Sequence, residues 1–216
     1  MKSDNQPILL LSTVAFLVCS AAAGAGLLQP LDIWILNHVQ SETSTIMDAV
    51  GMLASVVGGV EFVAVAAIAL AIGLFVHGRR RLALRLLVAF VVTGVVEIVF
   101  KMLVPQAPVP EDATRGPPLL DVTTPYHFPS GHMLRSVLLF GAIYLLWPNR
   151  VGRIAIVAFL VASAVGRLYF GTHWPSDVLG GALLGTAGLA WAFKGDERSS
   201  GQPPTSAHAE ANRLIS

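Results

Sequence analysis

Six long apolar runs dominate this sequence, at residues 8–28, 60–76, 82–104, 132–147, 151–170 and 178–194. Crossing about 30 Å of hydrocarbon as a helix takes roughly 17–25 residues, and each run lies within or close to that length. None shows the alternation of period two that marks a membrane strand. In lipid every backbone N–H and C=O must find a partner inside the chain, which a helix achieves alone. The expected fold is therefore all-α: a polytopic membrane bundle of about six transmembrane helices. Composition agrees, with 54% hydrophobic and 12% charged residues where a soluble domain carries about 25% charged. So few charges cannot cover a water-facing surface, which argues against a soluble enzyme, a nucleic-acid binder or a disordered protein. The single cysteine, Cys19, rules out an intrachain disulfide and a multi-cysteine metal site, and reads as packing.

Between the first two runs, residues 31–57 mix Asp32, His38, Glu42 and Asp48 with Ile33, Trp34, Ile46 and Met47. This pattern predicts a short interfacial helix after the first span, or two, with Trp34 at headgroup depth. Asp32, His38 and Asp48 are read there as solvated faces. The first run has features of a signal peptide, with Lys2 ahead of it and small residues at 21–25. Its apolar stretch is longer than a signal core and Asp4 weakens the basic flank, so a retained helix is expected. Gly181 and Gly185 form a small-xxx-small pair, read as packing inside the bundle. Residues 1–194 are expected to form one transmembrane domain, and the Ser-, Pro- and charge-rich 195–216 a disordered cytoplasmic tail.

Basic residues set the orientation. Lys2, the cluster Arg79, Arg80, Arg81 and Arg85, the pair Arg150 and Arg153, and Lys194, Arg198 and Arg213 all fall on one face of a six-span chain. By the positive-inside rule that face is cytoplasmic, with both termini on it. The expected location is the inner (plasma) membrane. Lys101, Arg115, Arg135 and Arg167 remain on the outer face, where the rule disfavours them and where ionisable residues at span ends are candidates for function.

The same face gathers Pro129-Ser130-Gly131-His132 at the start of the fourth run, and Arg167, His173 and Asp177 around the turn from the fifth to the sixth. Taken singly, each has an ordinary reading: Lys101 snorkelling or paired with Glu97 four residues earlier, the histidines interfacial, Asp177 a helix-start charge. Together they make an anion site. A helix N-terminus at Ser130-Gly131 offers free N–H groups and a favourable dipole to a phosphate. Lys101 and Arg167 add full charge near a low-dielectric boundary. Asp177, four residues after His173, can accept from one imidazole nitrogen and leave the other as nucleophile. His132 can protonate the leaving oxygen. The reaction class is phosphoryl transfer to His173 followed by hydrolysis. No carboxylate cluster accompanies the histidines, so no metal or other cofactor is expected.

These residues resemble the signature of the type 2 phosphatidic acid phosphatase (PAP2) and haloperoxidase superfamily: a Lys followed by Arg-Pro, then Pro-Ser-Gly-His, then Arg-x₅-His-x₃-Asp. Pro129-Ser130-Gly131-His132 matches the second part, Arg167, His173 and Asp177 match the third, and Lys101 matches the start of the first. The resemblance implies a metal-free phosphatase with His173 as nucleophile, Asp177 as its partner and His132 as acid, with Lys101, Ser130, Gly131 and Arg167 binding phosphate. It implies a lipid phosphate as substrate, of the polyprenyl (di)phosphate or glycerophospholipid class. The chain departs from the signature at Pro105-Gln106-Ala107-Pro108-Val109-Pro110, where the family's Arg-Pro has no counterpart. Arg135, one turn below His132, is the candidate replacement. Arg115 is second; otherwise it and Asp121 are loop charges. Two rivals stand beside hydrolysis: a non-catalytic lipid-phosphate binder or transporter, and a lipid phosphotransferase.

Overall fold

The computed structural model describes residues 5–41, 44–115 and 125–195. Asp121, Glu42 and the tail from 196 onward lie outside them. The described residues form eight α-helices and one 3₁₀ turn, with no strand among them. They are α1 (Gln6–Gly24), α2 (Gln29–Gln40), α3 (Thr45–Val57), α4 (Val60–Val76), α5 (Arg80–Leu103), α6 (Gly131–Leu146), α7 (Arg150–Tyr169) and α8 (Pro175–Ala192), with the 3₁₀ turn at Glu111–Ala113.

All six apolar runs are helical. Three of them, α1, α5 and α7, are long and apolar enough to cross a membrane, and α3 with α4 makes a fourth if that pair is one span bent by 53°. At 16 residues α6 rises only about 24 Å at 1.5 Å per residue. The first helix stops at Gly24, short of the run's end, and Pro30 opens α2. The segment expected to hold one or two short interfacial helices holds two helices, and the second leads through Gly58-Gly59 into α4.

The helix α8 lies at the centre. It packs along α1 and α6 and also meets α5, α2 and α7. Its glycines allow this, since helices in lipid associate through close packing of small residues. A Cβ on Gly181 would sit 2.3 Å from the Ser130 carbonyl oxygen, and one on Gly185 would sit 2.9 Å from that of Leu134. The backbones of α6 and α8 therefore touch, and Ser130 N–H donates to the Asp177 carbonyl at 2.9 Å. Beneath this contact Phe16 packs on Phe100 and Phe128, with ring centroids 4.7 and 6.0 Å away.

One expectation about α2 is overturned. Asp32 is not a solvated face: it is 3% exposed. The inward residues of α2 are Asp32, Leu36 and Gln40, at helical spacing, while Ile33 and Trp34 point outward. An amphipathic reading assumes that the polar stripe seeks water. Here that stripe faces the polar ends of α7 and α8. Asp48 is exposed but accepts from the Tyr169 hydroxyl at 2.6 Å, and His38 is exposed and stacks on Trp34.

Candidate active site

Four helix ends meet at one end of the bundle: the C-termini of α5 and α7 and the N-termini of α6 and α8. Lys101 lies in the last turn of α5 and Arg167 in the last turn of α7. Ser130 caps α6, so Gly131 and His132 open it, and Asp177 lies in the first turn of α8. After α7 the chain turns at Gly171, whose φ of +65° suits glycine, and delivers His173 to the same place. Lys101, Ser130, His132, Arg167, His173 and Asp177 are all buried.

His173 Nδ1 donates to Asp177 Oδ2 at 3.2 Å, and the same oxygen accepts the Trp174 N–H at 3.0 Å. This fixes the imidazole tautomer and makes Nε2 the nitrogen that carries the lone pair. The His127 ring stands edge-on to His173 at 6.2 Å. On the facing helix, Arg167 Nη2 lies 3.2 Å from His132 Nε2 and donates to Ser55 Oγ at 2.8 Å. The Ala54 carbonyl lies 3.3 Å from the same His132 nitrogen. Depending on the tautomer, that nitrogen accepts from Arg167 or donates to the Ala54 carbonyl. A Cβ on Gly58 would fall 2.2 Å from it, so only glycine lets the end of α3 come this close.

The cationic side is organised by Glu97. Its two carboxylate oxygens hold Lys101 Nζ at 3.3 Å and Arg135 Nη1 at 2.9 Å. Gly131 lies against the same carboxylate: a Cβ there would sit 1.8 Å from Glu97 Oε1. Arg135 is thus tied into the cradle rather than extended away from it, through Glu97. Arg115 instead donates to the Gln40 carbonyl at 3.0 Å, at the end of α2.

The segment that departs from the signature still packs on the site. Trp174 Nε1 donates to the Ala107 carbonyl at 2.7 Å, and Gln106 Nε2 donates to Ser176 Oγ at 2.9 Å. Ser176 in turn donates to Asp32, its N–H to Oδ1 at 2.8 Å and its hydroxyl to Oδ2 at 2.7 Å. Burial pushes the Asp32 carboxyl above the ordinary Asp range, against the two Ser176 hydrogen bonds that favour its ionised form. Sequence reasoning missed Ser55, His127, Gln106 and Asp32, and weighed Glu97 only as a neighbour of Lys101. Asp32 and Ser55 carry no local motif. His127 was visible two residues before Pro129.

The family model that describes the PAP2 superfamily matches residues 82–200. The chain belongs to the PAP2 superfamily. Among relatives of this PAP2 chain, phosphatidylglycerophosphatase B of Escherichia coli K12 is 38% identical over 97 residues, which cover 43% of this chain and 37% of that protein. An undecaprenyl-diphosphatase of Sulfolobus acidocaldarius is 34% identical over 110 residues, half of this chain and 52% of that one. The chain therefore spans about a third to a half of the length of these relatives. A transmembrane PAP2-type phosphatidylglycerolphosphate phosphatase from Bacillus subtilis shares the fold, with a TM-score of 0.69 over 88% of this chain and 96% of that one, at 21% identity.

Proposed function

We propose that this PAP2 chain is an integral membrane phosphatase acting on a lipid monophosphate or diphosphate, of the polyprenyl or glycerophospholipid class. One observation carries the reading: two buried imidazoles, His173 paired with Asp177 and His132 beside Arg167, converge at the helix ends that also hold Lys101. The names of the two relatives, one a phosphatidylglycerophosphatase and one an undecaprenyl-diphosphatase, support the substrate class.

In this mechanism the phosphate lies between Lys101, Arg167 and the N–H groups that open α6. His173 Nε2 attacks phosphorus, the N–P bond forms and the P–O bond to the lipid breaks. His132 gives its proton to the departing oxygen. Water then attacks the phosphohistidine, His132 takes the water's proton, the N–P bond breaks and inorganic phosphate leaves. Charge is neutralised by side-chain cations, so the reaction needs no metal ion. The site faces the periplasm or exterior, because Arg79, Arg80, Arg81, Arg85, Arg150 and Arg153 lie at the other end of the helices.

The test is release of inorganic phosphate by the purified full-length protein from a panel of lipid monophosphates and diphosphates in detergent, with and without 10-fold excess EDTA over total divalent cation. The expected rate is the same in both arms, within about twofold. Strong EDTA inhibition overturns the metal-free mechanism. A purified protein that binds these lipids without releasing phosphate, or that passes the group only to an added lipid acceptor, overturns hydrolysis.

Arg135 takes the place of the missing signature Arg in this reading. Arg135→Ala is expected to lower kcat/KM about tenfold, the worth of roughly one charged hydrogen bond. An unchanged kcat/KM removes Arg135 from the site.

A further inference from the structure

We propose that Asp32 is a positioning residue for the His173–Asp177 pair, acting from α2 through Ser176. The inference rests on the phosphatase reading above and adds to it a residue outside all three parts of the signature.

Both oxygens of the Asp32 carboxylate are taken by Ser176, one by its N–H at 2.8 Å and one by its hydroxyl at 2.7 Å. Ser176 is the residue before Asp177, in the first turn of α8, where backbone N–H groups have no partner within the helix. A buried carboxylate in this position satisfies one such donor and complements the positive end of the helix dipole. Three further contacts hold the same turn: Gln106 donates to Ser176 Oγ at 2.9 Å, Ser130 N–H donates to the Asp177 carbonyl at 2.9 Å, and Cys19 Sγ donates weakly to the Ser176 carbonyl at 3.9 Å. The turn that carries the nucleophile's partner is therefore held from α1, from α2, from the segment after α5 and from α6. Of these contacts, the one from α2 is made by a charged group. Burying a carboxylate is costly unless it is fully hydrogen-bonded, and the two short contacts meet that cost at one residue, next to the one that orients His173.

The expected consequence follows from alignment rather than affinity. In the phosphatase reading phosphate is held by Lys101, Arg167 and the start of α6 rather than by Ser176, so binding should survive a change at Asp32. The line of attack should not, since a displacement near 1 Å can lower a rate by about 10²-fold.

Asp32→Asn keeps the shape and removes the charge and one acceptor. Ser176→Ala cuts the hydroxyl link while leaving Asp32 in place. In full-length protein, each is expected to lower kcat for phosphate release about tenfold. KM for the lipid and inhibition by inorganic phosphate should stay within about twofold of the parent. Asp32→Ala should lose about 10²-fold in kcat, so that the asparagine variant is a partial rescue. Parental kcat in Asp32→Asn and Ser176→Ala overturns the proposal. So does a kcat loss accompanied by an equal rise in KM and in the phosphate inhibition constant, which makes Asp32 a support of the whole bundle. If the parent itself releases no phosphate, the phosphatase reading fails first and takes this inference with it. That result is distinct from an active parent with indifferent variants.

Discussion

His173→Ala is expected to abolish phosphate release, lowering kcat by roughly 10⁴- to 10⁶-fold, the range for removing a covalent nucleophile. The size follows from the geometry. His173 is oriented by Asp177 at 3.2 Å, with its tautomer fixed so that Nε2 carries the lone pair. The other imidazoles have different neighbours. His132 Nε2 lies between Arg167 and the Ala54 carbonyl, and His127 stands edge-on to His173 with ring centroids 6.2 Å apart. The alanine variant keeps the contacts of Lys101 and Arg167, so inhibitor binding should persist: inorganic phosphate should bind the variant within about threefold of the parent. Rapid acid-free quenching with a ³²P-labelled lipid phosphate should trap a base-stable, acid-labile phosphoprotein in the parent and none in the variant. Release at more than a tenth of the parental rate from His173→Ala would mean that another group attacks phosphorus, and the assignment of the nucleophile would fall.

Much of this arrangement was legible in the chain because helices in lipid are written as long apolar runs, and all six runs are helical. The candidate site residues stand out for a related reason. A charge or imidazole at the end of such a run needs a reason to be there, and Lys101, His132, Arg167, His173 and Asp177 end up at adjoining helix ends. What was not legible came from the segment between the first two runs. Residues 31–57 lack a long apolar stretch, so the sequence alone sets Asp32, His38 and Asp48 against water and gives Gln40 and Ser55 no role. In the bundle those residues meet the polar ends of other helices: Asp32 meets Ser176, Gln40 donates to backbone carbonyls including that of Ala113 at 2.8 Å, and Ser55 accepts from Arg167. The mixed pattern marks amphipathic helices without identifying their polar surroundings. A sequence shows which face of a helix is polar, but not whether water or another helix end lies against it.

The cationic cradle shows the same difference at finer scale. Lys101 and Arg135 come from different helices, and nothing local in the sequence relates them. The carboxylate that relates them is Glu97, whose spacing to Lys101 is visible and whose contact with Arg135, 38 residues away, is not. Gly131 completes the contact, since any side chain there would drive into Glu97. The chain thus places one acid among the cations that are proposed to hold phosphate. That acid joins Lys101 and Arg135 directly, with one carboxylate oxygen on each.

Glu97→Ala is accordingly expected to be among the most destabilising single changes in the protein. Glu97 and Lys101 side chains are 7% and 4% exposed, and Arg135 is 26% exposed. Removing the acid leaves a buried lysine and a half-buried arginine without the charge that joins them, and breaking a buried pair in this way costs about 3–5 kcal/mol. The loss should appear as a lower thermal unfolding midpoint in detergent, with kcat/KM for phosphate release falling at least about tenfold because the cradle no longer holds its spacing. The double variant Glu97→Ala with Arg135→Ala separates this from a simple cavity. A cavity at Glu97 would add to the arginine's own effect. A charge pair would not, and the coupling between the two changes should reach about 0.5–3 kcal/mol. A loss of under about 1 kcal/mol for Glu97→Ala, or strict additivity in the double variant, would show that Glu97 does not organise the cradle and that Lys101 and Arg135 hold their places by packing alone.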